Sequence, residues 1–441
     1  MEKLQEAGGY DVSEVEDIYP CSPIQELLQV GQIMDSGIKY KIVCLIAIDA
    51  IRGNEHVDVE QLKRSWQQVV NRHPILRTVF VESPRPSGLY DQVVLKYSRA
   101  KIVEEEDPSN PDQMELVQNI RDEIDFIGNG PPHRLTLFRR SQQHVLCRLE
   151  VNHTIIDGAS YGVILRDWAL AYMENLSPVP EARYKDYVTF VQKQENTAAL
   201  AYWSILLEGV KPCHFPAKQP TSQPAAIRRV VVPNLQSLDV GLLYQKHKLT
   251  LFNALQVIWS LVLQAYTGMD DVCFGYVTSG RDLPIDRIES LVGPLVNTLV
   301  CRVHLDSSSS LLDTMRIMRE QRRNNSRHQT PLMSVQRALG LSGTRLFNTA
   351  INARRSQKDV AENEAVSIRG LGRREDSEYD IVILSEGSDE VTITLYYSSA
   401  CLSDEEAVEI ADTISRLLPH CFEPEFSLIA SLQQLISRNT K

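Results

Sequence analysis

The chain has 441 residues, of which 43% are hydrophobic, 7% aromatic and 23% charged, with 21 Gly and 21 Pro. That composition belongs to a globular protein and excludes collagen-like, coiled-coil and disordered chains. Lys and Arg number 46 against 57 Asp and Glu, a formal charge of −11, which argues against a nucleic-acid partner held through phosphates.

The opening residues MEKLQEAGGYDVSEVED lack the apolar core of a secretory signal and the Arg-rich pattern of a transit peptide, so a cytoplasmic protein is expected. Residues 41–48 read as a strand. Residues 58–71 set Leu62, Trp66, Val69 and Val70 on one helical face behind Asp58 as N-cap, and 77–81 read as a second strand. Residues 134–138 and 145–151 alternate with period two, the latter run carrying Val145, Cys147, Leu149, Val151 and His153 on one face. After Asp157 and Gly158, read as turn residues, a helix buries Tyr161, Ile164, Leu165, Trp168 and Tyr172. Residues 176–186, LSPVPEARYKD, hold two prolines and no apolar period, which predicts a lobe boundary there: an N-terminal lobe over 1–180 and a C-terminal lobe over 181–441.

In the second half, 249–265 read as a buried helix, too short and too interrupted by Asn253, Gln256 and Gln264 to cross a membrane. A strand at 272–277, an amphipathic helix at 310–324 with a basic end, and strands at 345–351, 381–384 and 391–397 follow. The halves are alike in type, so two similar α/β lobes are expected, with a site at their junction.

The stretch Val151-Asn152-His153-Thr154-Ile155-Ile156-Asp157-Gly158 carries the strongest chemical signal. Histidine is the side chain best suited to take a proton near neutral pH. A buried Asp157 needs a cationic partner, because an unpaired buried carboxylate is costly. On spacing alone a second reading stands beside this one: a core or turn histidine, with Asp157 as a simple turn former. Other constellations are weaker. No phosphate loop occurs, and the eight cysteines form no C-x-x-C pair, which points to reduced thiols without metal. His144 and His153 lie nine apart on a strand, the wrong spacing for a metal pair. Gly370-Leu371-Gly372 lacks the third glycine of a dinucleotide fingerprint, and the charged Arg373-Arg374-Glu375-Asp376 after it reads as a loop. Arg322, Arg323 and Arg327 are either a docking patch for an acidic partner or a solvated helix end.

Around His153 the sequence resembles the condensation domains of nonribosomal peptide synthetases, and the match recurs in order along nearly the whole chain. Glu16-Asp17-Ile18-Tyr19-Pro20-Cys21-Ser22-Pro23-Ile24-Gln25-Glu26 is similar to the family's first motif, and Arg72-His73-Pro74-Ile75-Leu76-Arg77-Thr78 to its second. Asn152 to Gly158 matches His-His-x-x-x-Asp-Gly, and Tyr184-Lys185-Asp186-Tyr187 resembles the fourth motif. Asp271-Val272-Cys273-Phe274-Gly275 with Ser279-Gly280-Arg281, and Val292-Gly293-Pro294 with Val296-Asn297-Thr298-Leu299, resemble later ones.

The resemblance implies two chloramphenicol-acetyltransferase-like α/β lobes in a V-shaped arrangement, with a central tunnel entered by the phosphopantetheine arms of carrier proteins. It implies His153 as base or orienting group for an attacking amine, Asp157 as its structural aspartate paired with Arg281, and Gly158 as a backbone N–H beside the thioester. Arg77 is implied as support of the tunnel wall. No metal and no directly bound cofactor are implied; the partner is a peptidyl carrier domain bearing a peptidyl thioester, with no membrane. The chain departs from the pattern at Asn152, where an elongating domain has its first histidine. Fungal terminal condensation domains, which release peptides by macrocyclisation and carry Ser-His-x-x-x-Asp-Gly, are more similar. The expected function is therefore amide-bond formation from a carrier-bound peptidyl thioester with cyclising release, by a monomeric domain excised from a larger synthetase. The alternatives are intermodular condensation with an acceptor aminoacyl carrier protein, a non-catalytic recruitment module, and an epimerase of the same fold. Coenzyme-A-dependent acyltransferases share His-x-x-x-Asp, but their Asp-Phe-Gly-Trp-Gly signature does not occur here.

Overall fold

The computed structural model describes residues 10–34, 40–51, 56–85, 88–105, 130–193, 197–216, 226–235, 240–341, 343–354, 360–375, 379–387, 391–422 and 428–437. Its first strands are β1 (Val15–Pro20), β2 (Lys41–Ala50), β3 (Thr78–Glu82), β4 (Tyr90–Leu95), β5 (Ile102–Glu105), β6 (His133–Arg139) and β7 (His144–Asn152). They are followed by β8 (Ile227–Val231), β9 (Asp271–Thr278), β10 (Asn297–His304), β11 (Thr349–Arg354), β12 (Val360–Glu362), β13 (Val366–Glu375), β14 (Ile381–Glu386) and β15 (Thr392–Ser398).

The chain folds into two compact α/β units. The first comprises residues 1–194, 279–296 and 357–376, and the second 195–278, 297–356 and 377–441. The first unit therefore runs past the expected boundary at residue 180. Tyr184 and Tyr187 explain why: both are buried in the core that contains Trp66 and Trp168, so the helix they sit on is held there by apolar burial.

In the first unit a six-stranded sheet has the order β12-β13-β2-β7-β6-β5, beside a three-stranded sheet β1-β4-β3. One face of the large sheet presents Ile42, Cys44, Ile46 and Ile48 of β2 and Val145, Cys147, Leu149 and Val151 of β7. Helices α2 (Val59–Arg72) and α3 (Gly158–Tyr172) cover that face, and α1 (Pro23–Met34) and α4 (Tyr184–Lys193) are further α-helices among the unit's described residues. Asp58 caps α2 as the sequence predicts, accepting from the Gln61 N–H at 2.9 Å. Trp66 of α2 and Trp168 of α3 pack edge to face with centroids 5.1 Å apart, and burying each such ring is worth about 2–3 kcal/mol. The opposite sheet face carries Leu45, Phe138 and Leu146, with Leu371 packed against them.

The second unit is built on a six-stranded sheet of order β10-β9-β11-β14-β15-β8, with parallel pairs β9/β11 and β11/β14 at its centre. Its core helix spans Leu251–Thr267 and buries thirteen consecutive residues, Leu251 to Leu263, the polar Asn253, Gln256 and Ser260 among them. Arg322, Arg323 and Arg327 lie exposed on the helix Leu311–Arg327. The Arg322 guanidinium lies 4.5 Å from the Phe252 ring centroid. All eight cysteines are free thiols, and burial pushes those of Cys147 and Cys301 up. Among the described residues no helix is long and apolar enough to cross a membrane.

One expected loop is a strand. Arg373 to Glu375 end β13, which pairs antiparallel with β2 along its length; Asp376 lies outside the described residues. Two glycines inside six residues hide the period-two alternation, and the pairing partner is more than 300 residues away.

Candidate active site

Strand β7 ends at Asn152, so His153 opens a turn rather than extending the strand face as the alternation predicts. The turn is fixed by backbone bonds: His153 N–H donates to Tyr40 O at 2.8 Å, and Ile155 N–H to Asn152 O at 3.2 Å. Ile155 and Ile156 then enter the core, 0% and 1% exposed. A five-residue loop anchored by two buried isoleucines holds His153 in one place, itself buried at the end of the strand.

Asp157 is not a turn residue but the N-cap of α3, in extended conformation, with Gly158 as the first helical residue. The two roles draw on the same residue types, which is why local sequence does not separate them. Its carboxylate is fully buried and fully used. Oδ1 accepts from Ser160 N–H at 2.8 Å, from Ser160 Oγ at 2.7 Å and from Arg281 Nη2 at 2.8 Å, and Oδ2 accepts from Leu295 N–H at 3.0 Å. Arg281 in turn donates from Nη1 to the carbonyls of Ile288 and Leu291, at 3.0 and 3.1 Å. The buried charge pair is thus supported by further hydrogen bonds on both partners, which favours tolerance of such a pair.

Ser160 extends the network. Its hydroxyl, which donates to Asp157, accepts from Gly293 N–H at 3.0 Å, and the oxygen lies 3.0 Å from Gly293 O. Gly293 has φ +151°, and a Cβ there would lie 2.1 Å from the Tyr184 ring, so only glycine fits. The Tyr184 hydroxyl donates to Pro294 O at 2.8 Å and lies 2.7 Å from Ser22 Oγ. Gln25 donates to Thr154 O at 2.9 Å. The opening, third, fourth and later motifs of the sequence therefore meet around the loop 152–158.

Asn152 is fully buried and its amide pairs with Gln32 of α1; its Oδ1 also accepts from the Thr154 hydroxyl at 2.9 Å. Arg77 sits elsewhere. It donates to Glu16 at 2.8 Å and to the Leu95 carbonyl, bracing the β1-β4-β3 sheet. Sequence reasoning did not single out Gln25, Gln32, Ser160 or Tyr184 for this loop; of these, Gln25 and Tyr184 lie inside quoted motifs, whereas Gln32 and Ser160 lie outside them.

Chemically, the loop carries a histidine, a side chain able to take a proton near neutral pH, four residues before the N-cap of a fifteen-residue helix.

A family model described as "Condensation domain" matches residues 15–436. The chain is 33% identical over 437 residues to nonribosomal peptide synthetase atnA of Emericella nidulans, covering 98% of this chain and 6% of that protein. It is 34% identical over 447 residues to nonribosomal peptide synthetase 4 of Gibberella zeae, covering 100% of this chain and 6% of that one. The chain thus spans about 6% of the length of these relatives. Among solved structures it is similar to holo T3CT, with TM-score 0.75, 20% identity and coverage of 97% of this chain and 96% of the other. It is also similar to the four-domain nonribosomal peptide synthetase holo-AB3403, with TM-score 0.77, 16% identity and coverage of 95% and 34%. These structural likenesses establish the fold.

Proposed function

This chain belongs to the condensation-domain family of fungal nonribosomal peptide synthetases, and from that premise we propose that it releases a carrier-bound peptidyl thioester by intramolecular amide formation. Domains of this family are amide-forming acyltransferases; the cyclising outcome is the finer reading. The observation that carries it is the composition of the loop. His153, Asp157 and Gly158 are arranged around a helix N-terminus, while the position before His153 is an amide clasped by Gln32, which cannot titrate.

In this reading the peptide arrives on the phosphopantetheine arm of a peptidyl carrier domain. An amine of the peptide attacks its own thioester carbonyl. The C–N bond forms, His153 accepts the amine proton, the C–S bond breaks, and that proton leaves with the thiol. The thioester is already activated and its nucleophile is tethered, so alignment and one proton transfer suffice. Asp157 and Arg281 hold the loop in place from behind, and Gly158 offers its N–H to the acyl oxygen. The first unit serves as the lobe carrying the motif and the second as its C-terminal counterpart.

Mass spectrometry of the domain incubated with a peptide loaded on its carrier protein, with and without a free amine acceptor, tests the reading. A cyclic product without acceptor, absent with His153→Ala, supports it. Product only when acceptor is supplied assigns intermodular condensation instead, and an intact thioester in both arms favours a recruitment module.

A further inference from the structure

Resting on that reading, we propose that Arg373 is a catalytic residue of this site, delivered by a β-bulge to hold the thioester carbonyl oxygen beside Gly158.

The sequence offers Gly370-Leu371-Gly372 as half of a nucleotide fingerprint; the structure gives it another use. On β13, Ile368 pairs with Ile48 and Gly370 with Ile46, but Gly372 pairs with Leu45 and Arg373 with Cys44. One residue, Leu371, is therefore extra, and it packs on the opposite face with Leu45. In an unbulged ladder residue 373 would stand across from Val43, on the face that carries Leu45. The extra residue turns Arg373 onto the face of Cys44 and Ile46, the face on which α3 packs. Bulges beside functional sites re-aim side chains in this way.

The side chain arrives at the first residue of α3. Its Nη1 lies 3.4 Å from Gly158 O, and Nη1, Nη2 and Cζ lie 3.2, 3.3 and 3.5 Å from where a Gly158 Cβ would stand. That position is one bond from the Gly158 Cα, so the guanidinium lies against the first residue of α3, and any larger residue at 158 would press on the arginine. Two positive features, the helix N-terminus and a planar cation with several donors, thus converge at one side of the His153 loop.

When the amine attacks, the carbonyl π pair moves to oxygen as the C–N bond forms. Arg373 and the Gly158 N–H stabilise that oxyanion. The pair returns as the C–S bond breaks, and the amine proton passes by way of His153 to the departing thiolate.

The test uses the whole chain with a peptidyl N-acetylcysteamine thioester, following total thioester cleavage. Arg373→Ala is expected to lower kcat about 10²- to 10³-fold with KM little changed and an unaltered melting temperature. Arg373→Lys should fall between the two, and added guanidinium chloride at millimolar, non-denaturing concentration should restore part of the loss in the alanine variant. Guanidinium rescue is a readout that a structural arginine would not give. An alanine variant that keeps its kcat, or one that loses it without rescue, overturns this inference alone. A wild-type chain that leaves the thioester intact overturns it together with the functional reading on which it rests.

Discussion

Asn152 and Gln32 exchange two amide hydrogen bonds, Asn152 Nδ2 donating to Gln32 Oε1 at 2.7 Å and Gln32 Nε2 donating to Asn152 Oδ1 at 3.2 Å. The residue before the candidate base is thereby locked to α1 and to Thr154, which fixes the end of β7 from which His153 turns.

This clasp predicts a structural role for Asn152. Asn152→Ala leaves the buried Gln32 amide without that partner and should cost about 1–3 kcal/mol in denaturant unfolding. Turnover should fall far less than in His153→Ala. Equal losses of turnover in the two variants would make the first motif position catalytic.

Asp157→Ala removes a buried carboxylate that receives four hydrogen bonds, one of them from Arg281. It strands a cation in the interior, and the expected loss of stability is about 3–5 kcal/mol along with most of the activity. Chemical denaturation reads this directly, and an unchanged midpoint would show that the pair bears no stability.

Gly293→Ala places a methyl group against the Tyr184 ring at a backbone angle, φ +151°, that L-residues rarely adopt. Either the ring or the 292–295 turn must shift, disturbing the Leu295 N–H bond to Asp157. The variant should unfold at a clearly lower temperature than wild type, and full retention of stability would contradict the packing described.

Acid should destabilise the first unit through its buried histidines. Burial pushes His133 down to about 4, partly opposed by its Nε2 hydrogen bond to Leu76 O, and burial lowers His73 as well. An unfolded histidine titrates near 6.5, so below that pH the unfolded chain takes up protons that the folded chain refuses. Stability therefore falls as pH drops from about 6.5 toward 4, by on the order of 3 kcal/mol for His133. His133→Gln should flatten the unfolding free energy over this window. A slope identical to wild type would mean that His133 does not carry it.

Much of this architecture is legible in the sequence because its signals are local. Period-two alternation marks β6 and β7, Asp58 announces α2, and ordered motifs mark the loop at 152–158. What is not legible is long-range. Nothing local shows that 279–296 and 357–376 join the first unit, bringing Arg281, Leu295 and Arg373 to Asp157 and Gly158. The bulge in β13 erases the alternation that would reveal a strand, and no local signal marks Gln32 as the partner of Asn152. Asp157 reads as a turn former because turns and N-caps select the same side chains.

The central claim, that His153 is the base of a thioester-using loop, is tested most directly by comparing wild type with His153→Ala in turnover of a carrier-bound peptidyl thioester and in thermal unfolding. The account predicts a loss of about 10²- to 10⁴-fold in turnover with an unchanged melting temperature. A folded variant that turns over at the wild-type rate would contradict it.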